Sequence, residues 1–263
     1  MSLPRRRLLR HGLRAGLAAP LLSPRRAAEA ALAPLVMIDP GHGGIDPGAL
    51  GLDGTVEKII TLATGFDLRA RLLATRRYRV AMTRTADVFV SLGERVALAQ
   101  KYRASLFMSL HANIFAEPAI RGGSAYTLSA HASDRLAGAL AKSENGADRV
   151  AGPKFQHVPT QVAEILVSLV QHETMLGSAR LAEHVVAALG RVEPLLVRPW
   201  RQADFAVLQS VSIPSTLVEM GFLSNPIDAA NFQKPAFRAS VAGALTGAID
   251  SWFATGGLAR VAG

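Results

Sequence analysis

Four residues combine chemical competence with suggestive placement: His42, Glu57, His111 and Glu219. His42 lies in Gly41-His42-Gly43-Gly44, just past a short apolar run, where glycines let the backbone turn and leave the imidazole uncrowded. Glu57 falls in the first turn of the next helical segment, whose positive dipole end tolerates an ionised carboxylate. His111 follows the apolar stretch 106–110, and Glu219 follows the short strand pattern 215–218. Two imidazoles and one carboxylate at a common sheet edge supply three ligands to zinc and leave the fourth tetrahedral position for water. Such a cation lowers the pKa of bound water toward ~7 and polarises a carbonyl, while a free carboxylate nearby takes and returns the proton. Glu219 is the candidate for that second task. Taken singly, each residue also has an ordinary structural role: a histidine in a glycine loop as a turn residue, a glutamate at a helix start as a dipole partner. His131, His157, His172 and His184 lie on helical or loop stretches without strand-end context and are read as structural. The glycine loop lacks the lysine and spacing of a phosphate-binding loop.

The elements that must position these residues follow an α/β pattern. Residues 35–38 form an apolar run bounded by Pro34 and Asp39-Pro40-Gly41, as expected of a buried strand ending in a turn. A glycine-rich loop over 41–54 precedes a helix that Thr55 can cap, with the apolar residues Ile59, Leu62, Ala63, Phe66, Ala70 and Leu73 recurring at helical spacing. A strand over 78–83 follows, then the capping-box signature Ser91-Leu92-Gly93-Glu94 and another helix. Strands are expected at 106–110, 123–129, 195–197, 206–209 and 215–220. Between the second and third of these lies a helical insertion of roughly residues 133–190, interrupted at Gly152-Pro153 and near Pro159. Asn225-Pro226 marks a helix entry, and a last helix from Pro235 places Phe237, Val241, Leu245, Ala248, Ile249 and Trp252 on one face. The fold class is therefore α/β: a single domain with a central mixed, mostly parallel sheet flanked by helices, plus a helical insertion.

The chain has 263 residues, a formal net charge of +9 and no cysteine. The charge is concentrated at the start: residues 1–30 hold seven arginines and one acid, whereas the remaining 233 hold 22 basic and 19 acidic residues. A body so near neutrality draws little free energy from phosphates, which argues against nucleic acid as partner. Residues 1–30 run basic, apolar, then small, the layout of an export signal, and Arg5-Arg6-x-Leu8-Leu9-Arg10 resembles the twin-arginine form. Cleavage after Ala30 leaves residues 31–263 as the catalytic domain, in the periplasm. No window has the length of charge-free apolar sequence that a membrane span needs. Without thiols there is neither a disulfide framework nor a thiolate metal site.

The sequence resembles the zinc-dependent N-acetylmuramoyl-L-alanine amidases of bacterial cell division over about residues 35–253. The motifs that carry the resemblance run from Met37-Ile38-Asp39-Pro40-Gly41-His42-Gly43-Gly44-Ile45-Asp46-Pro47-Gly48-Ala49 through Glu57-Lys58 and Thr83-Arg84 with Asp87, Leu92 and Arg95. They continue with Ser109-Leu110-His111-Ala112-Asn113 and Val218-Glu219-Met220-Gly221-Phe222-Leu223-Ser224-Asn225. The resemblance implies that His42, Glu57 and His111 hold Zn2+ and that Glu219 is the catalytic glutamate. It implies hydrolysis of the amide joining the lactyl group of N-acetylmuramic acid to L-alanine in peptidoglycan, for daughter-cell separation and wall remodelling. It also implies that the helical insertion lies over the site until an activator carrying a LytM-type domain displaces it. Ser143-Glu144-Asn145-Gly146-Ala147-Asp148 matches the region whose glutamate approaches the metal, so Glu144 is expected to fill the open coordination position.

Two competing functions share many of these features. A zinc peptidase cutting within the stem peptide has the same ligand set but leaves no free muramic carboxylate. A catalytically silent wall-binding or divisome protein needs no competent site, whereas here all four positions carry competent residue types.

Overall fold

A computed structural model describes residues 33–150 and 166–257. The expected leader, His157 and the helix interruptions at Gly152-Pro153 and Pro159 lie outside the described residues. Six strands form one sheet in the order β2-β1-β3-β6-β4-β5. They are β1 (Leu35–Pro40), β2 (Arg79–Met82), β3 (Leu106–His111), β4 (Gly123–Leu128), β5 (Leu195–Ala203) and β6 (Ser215–Glu219). Every pairing is parallel except β4 with β6, so the sheet is mixed and mostly parallel, as expected. The helices are α1 (Glu57–Thr75), α2 (Leu92–Lys101), α3 (Arg135–Glu144), α4 (Ala147–Val150), α5 (Leu166–Leu189), α6 (Pro226–Phe232) and α7 (Pro235–Ala254).

Strand alternation divides the core into two layers. Val36 and Ile38 of β1, with Leu106, Met108 and Leu110 of β3, face a cluster completed by Leu68 and Leu72 of α1, Leu181 and Val185 of α5, and Val241 and Trp252 of α7. Leu35, Met37 and Phe107 point the other way, toward Leu92 and Ala99 of α2, Leu140 of α3 and Phe205. Each such fully buried aliphatic or aromatic side chain contributes about 1.5–3 kcal/mol, so both faces of the sheet must be covered. Trp252 also donates from Nε1 to the Gly177 carbonyl at 2.9 Å, tying α7 to α5.

Helix boundaries follow local chemistry. Ser91 and Glu94 form the reciprocal capping box that opens α2. Asn225 caps α6 through Oδ1, which accepts from the Ile227 and Asp228 amides, with Pro226 at the first helical position. Thr55 is not a cap: Val56 occupies the N-cap of α1, without a side-chain hydrogen bond.

One further expectation is corrected. Residues 206–209 form a 3-10 turn, Ala206–Leu208, instead of a strand. Its amides are taken by local bonds, Leu208 N–H to the Phe205 carbonyl and Gln209 N–H to the Ala206 carbonyl, and Asn145 Oδ1 accepts from the Ala206 amide. The buried face of α1 is also not the one the apolar periodicity marks. Ile59, Phe66 and Leu73 are 60%, 38% and 41% exposed, while Glu57, Ile60, Thr61, Thr64, Gly65, Leu68 and Leu72 are buried. Close approach to the sheet selects that small-residue face: Gly65 sits against Pro40, Met82 and Ile38, and Thr61 Oγ1 donates to the Gly41 carbonyl at 2.9 Å.

Candidate metal centre

The carboxyl ends of β1, β3 and β6 carry the residues of interest. Immediately after β1 the chain turns through His42, whose φ of 60° is unusual for a residue with a side chain. Two buried arginines hold this turn. Arg84 donates Nε to the Pro40 carbonyl and Nη2 to the Gly41 carbonyl, both at 2.9 Å. Arg95 donates Nη1 to the Pro40 carbonyl at 2.9 Å and Nη2 to the His42 carbonyl at 2.8 Å. Arg95 is itself paired at 2.7 Å with Asp39, which also accepts from Thr83 at 2.5 Å and Ser109 at 2.7 Å. Three successive carbonyls are thereby fixed, and with them the direction of the imidazole.

His42 Nδ1 meets Asp46 Oδ2 at 2.8 Å, which orients the ring and leaves Nε2 for the site. Glu57, at the start of α1, braces both rings: Oε2 lies 3.1 Å from His42 Nε2 and Oε1 lies 3.1 Å from His111 Nδ1. The same carboxylate accepts from the Ala49 and Ala112 amides. Glu144, the last residue of α3, sets Oε2 at 3.3 Å from His42 Nε2 and 3.0 Å from His111 Nδ1. His42, His111 and Glu144 thus form a buried cluster whose ligand atoms lie within 4.8 Å of one another.

These contacts have the spacing of a metal centre. A tetrahedral ion with ligands near 2.0–2.1 Å separates neighbouring ligand atoms by about 3.3 Å. His42 Nε2 and Glu144 Oε2 are buried side by side, yet neither has a hydrogen-bond partner. Buried polar atoms are rarely left so, and a cation shared among these donors satisfies both. The residues therefore fit the zinc ion that the sequence implies.

The buried groups also set one another's charge. Burial opposes ionisation of every member, but the opposite charges prevail. Glu57 is held well below the usual carboxylate range by His42 and His111, and Glu144 is held at about 2 by the same two rings. Burial lowers the pKa of His111, yet Glu144 and Glu57 raise it to about 10. His42 is likewise raised despite burial, by Glu57 and Glu144.

Glu219 differs in kind. It ends β6 opposite His111 of β3 in the strand register, fully buried. Burial, with a smaller push from the Glu144 and Glu57 charges, raises its pKa to about 8. Oε2 accepts from the Asn113 amide at 3.1 Å, while Oε1 is buried with no hydrogen-bond partner. A carboxyl tuned into this range beside a cation site suits proton transfer. The structure thus gathers His42, Glu57, His111, Glu219 and Glu144 in one place, whereas His131 and His172 are exposed on other elements.

Close approach explains one glycine. A Cβ at Gly41 would overlap the ring of His111. Gly41→Ala is expected to displace that ring and lower kcat/KM about 10²-fold, the scale of misplacing a reacting group by an ångström. Amide-hydrolysis kinetics alongside a melting curve check this, because simple unfolding lowers both.

The supporting roles of Arg84, Arg95, Asp39 and Asn113 escaped the sequence reading, although all four lie within the quoted motifs. Asn113 links two parts of the site: its amide N–H serves Glu219 and its side-chain Nδ2 donates to Glu144 Oε1. An acid closing an apolar strand, Asp39, is the signal in the sequence that could have revealed the Arg95 pair.

An α/β sheet that collects imidazoles and carboxylates at its carboxyl edge has the place and the donor set of an enzyme site able to hold a metal ion. The chain belongs to the N-acetylmuramoyl-L-alanine amidase family, matching it over residues 36–251, and so is a hydrolase of peptidoglycan amide bonds. It is 41% identical over 220 residues to N-acetylmuramoyl-L-alanine amidase AmiA of Salmonella typhimurium, covering 83% of this chain and 76% of that one. It is 37% identical over 232 residues to amidase AmiC of Neisseria meningitidis serogroup B, covering 86% of this chain and 54% of the relative. Among solved structures, amidase AmiC2 of Nostoc punctiforme superposes with a TM-score of 0.62 at 27% identity, covering 84% of this chain and 97% of that one.

Proposed function

We propose that the chain is a zinc-dependent N-acetylmuramoyl-L-alanine amidase that separates daughter cells and is restrained by its own insertion. The observation that carries this reading is the convergence of His42 Nε2, His111 Nδ1, the Glu57 carboxylate and Glu144 Oε2 at 3.0–3.3 Å. His42, Glu57 and His111 would hold the zinc ion, which when bound supplies Lewis acidity and an acidified water. Asp46 fixes the His42 ring, and Glu57, anchored by two backbone amides, keeps both imidazoles in place. Glu219 Oε1 takes a proton from the attacking water and returns it to the nitrogen of the departing L-alanine. The products are a free carboxylate on the muramic lactyl group and a stem peptide with a free amino terminus.

Glu144 occupies the remaining side of the cluster and excludes water and substrate from it. Its segment is fastened: the Asn145 side chain donates to the Asp204 carbonyl and accepts from the Ala206 amide, and Asp148 accepts from the Leu92 amide. The insertion, about residues 133–190, is then the regulatory part of a catalytic domain spanning 31–263. Its displacement falls to a LytM-domain activator, which with the insertion would also direct the enzyme to the septum. Glu144→Ala is expected to raise basal hydrolysis of purified sacculi about tenfold or more, because the competent fraction of the enzyme rises. Unchanged basal activity removes the restraint from the proposal.

Residues 1–30 are proposed as a twin-arginine export signal, placing the mature enzyme in the periplasm, with a mature terminus near Ala31 as the check. The central test is mass analysis of fragments released from sacculi, with and without chelator. Muramic carboxylate ends that vanish on chelation support the reading. Cuts within the stem peptide, or indifference to chelator, refute it.

A further inference from the structure

Among the described residues, the outward face of α1 exposes Ile59, Phe66 and Leu73. These three recur every seven residues, each about 20° around the helix from the one before, and form a stripe about 21 Å long. The side that packs on the sheet is the less apolar one, with Thr61, Thr64 and Gly65 in it. Exposed arginines border and extend the stripe: Arg69 lies between Phe66 and Leu73, and Arg76, Arg77 and Arg79 continue past the helix end. Residues 67–79 hold five arginines and one aspartate, whereas the rest of residues 31–263 hold 17 basic and 18 acidic residues. The excess positive charge outside the leader thus falls in the stretch of sequence that carries this stripe; Arg77 is paired with Asp250 at 2.6 Å and Arg71 lies against Gly243 of α7, so Arg69, Arg76 and Arg79 are the arginines that border it.

We propose that this face of α1 docks on an anionic phospholipid bilayer, with Phe66 and Leu73 entering the headgroup boundary and the arginines facing lipid phosphates. Apolar side chains along one face with flanking basic residues make the combination that holds a helix in the plane of a membrane surface. Long arginine side chains lie along apolar surface while keeping the guanidinium in the polar layer. A second copy of the chain is the poorer occupant, because a symmetric contact on this face opposes two segments of equal positive charge. No helix among the described residues is long and apolar enough to cross a membrane, so the contact is peripheral. The proposal is independent of the site chemistry: it concerns where the enzyme stands.

The test is co-sedimentation of the full chain with phosphatidylglycerol and phosphatidylcholine vesicles, with the seven leader arginines replaced by glutamine so that they do not contribute. Binding to phosphatidylglycerol vesicles is expected, weakening with added salt, and much weaker binding to phosphatidylcholine. Phe66→Gln with Leu73→Gln is expected to weaken it about tenfold or more, and Arg69→Gln with Arg76→Gln comparably, with melting curve and amide hydrolysis of soluble fragments unchanged. The second pair keeps the test decisive if the first impairs folding. No binding to anionic vesicles, or binding that neither pair alters, overturns the proposal. Dimerisation that Phe66→Gln with Leu73→Gln abolishes, seen by sedimentation velocity without lipid binding, assigns the face to self-association instead.

Discussion

Glu219→Gln is expected to lower amide hydrolysis about 10²–10⁴-fold while zinc stoichiometry stays unchanged. Glutamine keeps the volume and can still accept the Asn113 amide hydrogen bond at the position of Oε2. It cannot take a proton. The cluster of His42, Glu57, His111 and Glu144 is built without Glu219, so metal content reports separately from turnover. Stability is not expected to fall, since Oε1 is a buried carboxylate oxygen with no hydrogen bond to lose. Turnover kinetics, metal analysis and a melting curve on one preparation check all three statements. A variant with near wild-type turnover ends the general-base assignment, and one that loses zinc makes Glu219 a ligand.

Asp39→Asn is expected to cost about 3–5 kcal/mol of folding stability, the range for removing one partner of a buried ion pair. Asp39 is fully buried and answers three groups, Arg95, Thr83 and Ser109. Without its charge the Arg95 guanidinium remains inside, supported only by carbonyls. Two of those, of Pro40 and His42, set the turn of His42, so activity falls together with stability. Burial raises the pKa of Asp39, but Arg95 and the two hydroxyls outweigh it and bring it below 3.8. The unfolded chain therefore binds the proton more readily than the native one. Stability from this carboxylate is complete above the unfolded value and disappears as pH falls through the native one. Denaturant unfolding as a function of pH is expected to show a shallower acid limb in Asp39→Asn. An unchanged midpoint at neutral pH refutes the ion-pair argument.

Strand ends were the legible part of this chain. Short apolar runs closed by Pro, Gly or a polar residue located β1, β3 and β6, and the residues just beyond them, His42, His111 and Glu219, meet in space. Glu57 was legible because a helix start follows the glycine loop. Glu144 was not: nothing local separates it from any other glutamate on a helix, and only the family motif singled it out. The buried face of α1 was not legible because apolar periodicity reports where hydrophobic side chains lie, while packing here was decided by how closely Thr61 and Gly65 let the helix approach. Arg84 and Arg95 escaped because most of their partners are backbone carbonyls, which no residue pattern displays. The 3-10 turn at Ala206–Leu208 looked like a strand because three apolar residues in a row serve either conformation.

The almost wholly parallel sheet has a consequence for how the molecule comes into being. Parallel neighbours cannot be joined by a tight hairpin, and here β3 must find β6 across more than a hundred residues, Phe107 coming to rest beside Ser215. His42, Glu57 and His111 belong to the contiguous stretch from β1 to β3, which can assemble while the later chain is still unmade. Glu219 arrives only with that distant pairing, so the residues proposed to hold the ion lie together in the chain well before the residue proposed to move the proton.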